Sequence, residues 1–214
     1  MRWIPGFLCV AVLLLGGYAS AADTEKAEAA ENKAEVLEEK AAQDQPPSSV
    51  EVAPITPSEA QAVDPAGAAP LDDAITCLAR SIYWEAKGEP PYEMEAVANV
   101  VMNRLASDDF PDTVCTVVKQ GSETKSCQFS WWCDGRPDEV VEDERYELAK
   151  EIARKALNGQ LKDRTEGALY FHDRTVSPDW AHEYARTAQT RRFLFYKPNP
   201  GKQPIANGAD RTQP

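Results

Sequence analysis

Histidine is scarce in this 214-residue chain, with only His172 and His182 present. A zinc amidase or endopeptidase needs two or three histidines plus a carboxylate, and this pair lacks the i, i+4 spacing of ligands on one helix face. Basic residues are also short: 23 Lys and Arg face 35 Asp and Glu, for a net charge of −12. That balance argues against a nucleic-acid partner, which requires basic patches. No close Cys-x-x-Cys pair occurs, which argues against a structural zinc site. The one long apolar run, Trp3 to Leu15, is too short for a membrane span, and no internal repeat is visible. No metal or cofactor is expected.

What is present divides the chain into four parts. Met1 and Arg2, the apolar run, and the small residues Ala19-Ser20-Ala21 read as a secretory signal peptide over 1–22. The protein is therefore expected to be exported, to the periplasm or cell envelope, with no stable span in its mature form. Segment 23–70 carries eleven acidic and three basic residues, a net −8. Its Ala/Glu/Lys-rich first half predicts at most a transient charged helix, and its Pro/Ala-rich second half an extended spacer. The expectation is a disordered tether. Residues 71–200 then form one domain with its own core, and 201–214 a flexible tail. Oligomeric state is not legible.

Four cysteines follow the signal region: Cys77, Cys115, Cys127 and Cys133. In an exported protein they predict two disulfides out of three connectivities. The favoured set is Cys127–Cys133, closing a short loop, and Cys77–Cys115, tying the first helix of the domain to a later one. An even, oxidised set also argues against a cysteine peptidase.

Hydrophobic periodicity predicts helices over about 72–86, 92–106 and 138–158, with a short helix after Pro111. Residues 122–137 read as loop. Weak alternation predicts strands at Ala168 to Phe171 and Arg192 to Tyr196, around a short helix from Pro178 to Tyr184. The fold class is α+β, mostly helical with a small sheet. In the first of these helices Ile75, Leu78, Ala79 and Ile82 form the apolar stripe, and Glu85 falls on the same face. Burial there raises a carboxyl pKa, and a protonated glutamic acid near neutral pH is a general acid. Alternatively the helix ends here, terminated by Gly88, and Glu85 faces past the core.

The string Ile82-Tyr83-Trp84-Glu85-Ala86-Lys87-Gly88-Glu89-Pro90, followed by Ala96 to Arg104, resembles the SleB/CwlJ-type cell-wall hydrolases. Phe110-Pro111-Asp112-Thr113-Val114-Cys115, Cys127-Gln128-Phe129-Ser130-Trp131, Ala168 to His172, Val176 to Ala181 and Phe195-Tyr196 extend the resemblance across residues 74–197. It implies a lysozyme-like single domain acting on the glycan strands of peptidoglycan, with Glu85 catalytic. Three positions depart from the family pattern: Lys87 for arginine, Glu93 for a glycine, and Arg191-Arg192-Phe193 where a glycine-x-histidine is common.

Cleavage of a β-1,4 glycosidic bond needs a proton for the leaving oxygen. No second carboxylate stands at an obvious place for two-carboxylate hydrolysis; Glu89 sits in a turn and reads as structural or site-lining. A lone glutamate suffices for a lytic transglycosylase, in which the muramoyl 6-hydroxyl replaces water. A muramidase, or a non-catalytic peptidoglycan-binding protein of the same fold, is the alternative. Gln128, Phe129, Ser130 and Trp131 are candidates to line the cleft, as are Tyr170 and His172 on the expected strand. Trp180 and Tyr196 read as core, and Asn103 and Arg104 as a helix cap and a surface ion pair.

Overall fold

The computed structural model describes residues 20–43, 52–124 and 127–199. The expected signal peptide, apart from residues 20–22, and the expected tail 201–214 lie outside the described residues.

Helix α3 (Ala74–Glu85) is the centre of the molecule. Asp73 caps it by accepting the Thr76 N–H at 2.8 Å. Ile75, Leu78, Ala79, Ile82 and Tyr83 are fully buried, so the stripe seen in sequence faces the core. Each large aliphatic chain removed from water in this way contributes roughly 1.5–3 kcal/mol. After Ala86 the chain turns, and Gly88 takes φ 82°, a left-handed conformation that glycine adopts without a Cβ penalty. Helix α4 (Pro91–Leu105) starts on a proline, whose missing N–H would be unpaired at that position in any case. Helix α5 (Val114–Lys119) and helix α6 (Asp143–Leu157) complete the bundle around α3.

The sheet is antiparallel, in the order β1-β3-β2. Strand β1 (Tyr170–Asp173) pairs with β3 (Phe193–Lys197), placing Tyr170 opposite Tyr196 and His172 opposite Leu194. Strand β2 (Ala185–Gln189) lies on the outer side of β3, with a register irregularity between Arg186 and Ala188. Its Ala-Arg-Thr-Ala-Gln sequence carries no apolar alternation, so the sequence reading missed it. Asp179 to His182 is a single 3₁₀ turn.

The described parts of segment 23–70, residues 23–43 and 52–70, depart most from expectation. Helix α1 (Ala21–Ala42) is regular, and Ala30 and Ala34 are fully buried against the domain. Alanine buries little area, but a stripe of methyls at Ala27, Ala30, Ala34 and Ala41, with Leu37, lets the helix come close to the core. Lys33 pairs with Glu59 at 2.8 Å, and the Glu38 carboxylate accepts the Val114 N–H at 2.8 Å, capping α5. Residues 52–70 are a packed strap and not a spacer. Thr56 and Glu59 form a reciprocal capping box on helix α2 (Pro57–Ala62). Ile55 and Val63 are fully buried, and the Asn158 side chain holds both backbone groups of Ile55. Asp64 then enters the core, where its Oδ2 accepts from Arg80 Nε and Nη2 at 3.0 and 2.9 Å and from the Tyr146 hydroxyl at 2.6 Å.

Two cysteine pairs come together. Cys77 on α3 meets Cys115 on α5 with Cα atoms 5.2 Å apart, and Cys127 meets Cys133 with Cα atoms 5.9 Å apart. Both separations lie in the range a disulfide spans. Trp131, between the second pair, donates its indole N–H to Ser81 Oγ at 3.3 Å, which fixes the loop onto α3.

Candidate active site

Glu85 is the last residue of α3, so the packing that fixes the helix also fixes this carboxyl. It keeps some solvent access, but protein surrounds the group closely enough that burial dominates its titration. Burial pushes the Glu85 pKa up to about 7, against the smaller opposing pulls of the Arg104 guanidinium and of the Ser130 backbone N–H that donates to it. Near neutral pH this group is poised between acid and conjugate base, the condition under which one residue can give a proton and take it back. Among the described residues no second carboxylate contributes to that shift.

Arg104, on the last turn of α4, lies under the site and is 3% exposed. Among the described residues it makes no surface ion pair, contrary to what the sequence suggests. Its guanidinium carbon lies 5.2 Å from the ring centres of both Phe110 and Phe129 and 5.4 Å from that of Tyr170. Nε donates to the Leu169 carbonyl at 2.7 Å and Nη2 to Gln128 Oε1 at 3.3 Å. Among the described residues Nη1, which is buried, has no hydrogen-bond partner. The signal that could have located it is the one that located Glu85: Arg104 follows Val97 by seven and Val101 by three, on the apolar stripe of its helix.

The loop candidates fall into distinct roles. Ser130 is exposed and brings its N–H to Glu85. Gln128 is half-buried and spends its side-chain oxygen on Arg104. Phe129 has no exposed surface; its ring packs against Arg104 and Phe171, so it supports the loop from below and does not face a cleft. Trp131 is likewise buried, against Ser81 and Trp132.

Tyr170 and His172 point to one face of β1 and enter a second aromatic cluster with Tyr184, Tyr196 and Trp180. His172 is 8% exposed and stacks on Tyr196 at 5.3 Å. The Asp173 carbonyl can only accept, so Nδ1 donates to it at 2.8 Å, and Nε2 meets the Tyr196 hydroxyl at 3.2 Å. Both ring nitrogens are thus engaged within the fold. Asn103 braces the turn before β1, donating to Thr165 Oγ1 and the Ala168 carbonyl at 3.1 Å each.

Glu89 lies in the turn after α3, where it accepts from Arg192 Nη1 at 3.0 Å. Arg192 also reaches Asp173 at 2.8 Å, so it ties that turn to the end of β1. Glu93 is fully buried and accepts from the Arg192 backbone N–H at 2.9 Å and from the Thr190 hydroxyl. Two of the three departures from the family pattern therefore meet in space: the carboxylate at 93 holds the turn that carries Arg191 and Arg192. Phe193 fills core beside Phe171 and Phe195. The third departure, Lys87, pairs with Glu142 at 3.2 Å and lies over the Tyr83 and Trp84 rings. Among the described residues no cluster of three or more His, Cys, Asp or Glu is arranged to hold a metal ion.

A spore cortex-lytic enzyme of Halalkalibacterium halodurans is 33% identical over 129 residues, covering 58% of this chain and 34% of that protein. The spore cortex-lytic enzyme of Bacillus subtilis is 32% identical over 122 residues, covering 56% of this chain and 36% of that protein. The chain thus spans about a third of the length of these curated relatives. Among solved structures, the catalytic domain of the Bacillus cereus SleB protein superposes with a TM-score of 0.48 at 29% identity, covering 58% of this chain and 89% of that one. Residues 88–196 match the profile of the Cell Wall Hydrolase family, beginning three residues after Glu85 and covering just over half of the sequence. The chain belongs to the cell wall hydrolase family.

Proposed function

We propose that the protein cleaves peptidoglycan glycan strands between N-acetylmuramic acid and N-acetylglucosamine as a lytic transglycosylase, with Glu85 as both acid and base. The observation that carries this reading is the Glu85 carboxyl at the end of a buried helix, with its pKa raised to about 7 and, among the described residues, no second carboxylate contributing to that shift. In the first step Glu85 gives its proton to the glycosidic oxygen, which leaves with the bonding electron pair of the anomeric C–O bond. An oxocarbenium-like centre develops on the muramoyl sugar. The 6-hydroxyl oxygen of the same sugar then bonds to that carbon, and its proton passes to the Glu85 carboxylate. The product is a 1,6-anhydro sugar, no water is consumed, and Glu85 is protonated again.

Ser130 supports the cycle because its backbone N–H holds the carboxylate form that exists between the two steps. Its exposed hydroxyl and the Gln128 amide remain the loop groups available to sugar polar atoms. Burial of Phe129 and Trp131 assigns them to support of that loop. Export to the cell envelope places the enzyme with its substrate and oxidises the two cysteine pairs. Titration of the mature protein under denaturing conditions without reductant is expected to find no free thiols; four would contradict this.

The test is product analysis. Residues 23–214 and the Glu85→Gln variant are incubated with purified peptidoglycan, and the soluble fragments are identified by mass. Anhydromuropeptides from the wild type alone are expected. Fragments with reducing ends would indicate a muramidase, and no release by either protein would leave a binding protein of the same fold.

A further inference from the structure

Arg104 has a feature that structural packing does not explain. A guanidinium removed from water needs a counter-charge and a full set of acceptors, or it destabilises the fold. Among the described residues Arg104 has two neutral acceptors, three aromatic faces and a buried Nη1 with no hydrogen-bond partner. The groups that favour its charge are Tyr170 and Glu85. Burial lowers its pKa to about 10, so it is still a cation at every pH at which Glu85 titrates.

We propose that Arg104 is the positioning residue of the Glu85 acid/base cycle: its fixed charge and its hold on Gln128 keep the Glu85 proton releasable and stabilise the carboxylate left behind. This rests on the reading of Glu85 given above. Two connections carry the effect. The first acts through space, from the guanidinium to the carboxyl, across an interior from which water is largely removed. The second runs through the loop: Nη2 holds Gln128, the Phe129 ring lies against the guanidinium, and the next residue, Ser130, supplies the N–H that meets Glu85. The Leu169 carbonyl holds Nε of the same guanidinium at 2.7 Å. Burial alone would favour the protonated form of Glu85 and make the carboxylate half of the cycle unfavourable. A buried cation beside it opposes that bias and relocates no proton itself.

The test follows the Glu85 carboxyl by 13C NMR in residues 23–214, with the signal identified by its loss in Glu85→Gln. In Arg104→Gln the midpoint should rise by about one unit or more, with Arg104→Lys recovering part of the shift. The basic limb of kcat/KM on peptidoglycan should move up with it, and the rate near neutral pH should fall roughly 100-fold. If Arg104→Gln does not fold, reciprocity supplies the test in the wild type. The Arg104 guanidinium 15N signals should then shift with the same midpoint as Glu85 and become flat in Glu85→Gln. A folded Arg104→Gln with an unchanged Glu85 midpoint, or guanidinium signals indifferent to that titration, overturns the proposal. Failure of the underlying reading shows separately, as equal fragment release by wild type and Glu85→Gln.

Discussion

Arg80 and Arg104 are buried to nearly the same extent, 2% and 3% exposed, yet their surroundings differ in kind. Arg80 meets Asp64 through two nitrogens and the Asp138 carbonyl through the third, and Tyr146 completes the carboxylate. Every charge there has a partner, and the cluster fastens the strap of residues 52–70 to α3 and α6. Arg104 rests on rings and neutral oxygens, and the carboxyl nearest in effect is one that is half protonated near pH 7. A saturated ion pair resists any change of protonation. An incompletely matched cation can respond to one. The first arrangement suits a joint, and the second suits a site where a proton must move.

The sharpest way to break the comparison is to leave Arg80 as unmatched as Arg104. Asp64→Ala should destabilise the protein by about 3–5 kcal/mol in urea titrations, the loss typical of an uncompensated buried charge. Asp64→Asn should lose less than Asp64→Ala, because asparagine tolerates the left-handed backbone at this position (φ 44°) and keeps an acceptor for the Ala68 and Ala69 N–H groups. The pair also sets an acid limit. Burial alone would raise the Asp64 pKa, but the Tyr146 hydroxyl, the Ala69 N–H and Arg80 together hold it below the usual carboxylate value. A depressed folded-state pKa gives stability that is complete above the unfolded value and is lost as pH falls through the folded one.

At Glu85 the sign reverses. Its folded pKa of about 7 exceeds the unfolded value of 4.5, so the folded state is favoured most below 4.5 and weakens as pH rises through 7. Glu85→Gln should therefore abolish fragment release while raising stability by about 3 kcal/mol at pH 8.5, with little difference near pH 4. Matched urea titrations at the two pH values check this. Equal stability at both would remove the case for a buried, shifted acid.

A smaller effect is expected at Glu93, whose carboxylate serves the Arg192 N–H and the Thr190 hydroxyl. Glu93→Ala should cost about 1–3 kcal/mol by orphaning those donors, read as a lowered Tm. Lys87→Ala should change stability by less than about 1 kcal/mol, because its pair with Glu142 is partly solvated. A larger loss at Lys87 than at Glu93 would invert this ordering and point to a role for the cation over Tyr83 and Trp84.

The same contrast separates what was legible in the sequence from what was not. Helices α3, α4 and α6 announced themselves because their apolar residues recur every three or four positions, and the carboxyl on the α3 stripe stood out for that reason. Arg104 satisfied the same rule but was read as a surface group, since arginine at a helix end usually is. The strap escaped because proline and alanine dominate it, although Thr56-Pro57-Ser58-Glu59 spells a capping box and Ile55 and Val63 are isolated anchors. Its attachments join residues far apart in the chain, as at the buried Asp64 carboxylate, whose partners lie 16 and 82 residues away, and no local pattern reveals them. Phe129 was misplaced for a related reason. An aromatic ring in a loop suggests a sugar platform, whereas this one is the floor on which Arg104 and Phe171 rest.

The most direct test of the account is the titration of Glu85 itself in the wild-type mature protein, followed by its carboxyl 13C signal from pH 3 to 10. A single midpoint near 7 is the expected result, with loss of fragment release on the alkaline side of it. A midpoint at or below 4.5, the ordinary glutamate value, would contradict the account, because a carboxylate already ionised at neutral pH has no proton to give the leaving oxygen.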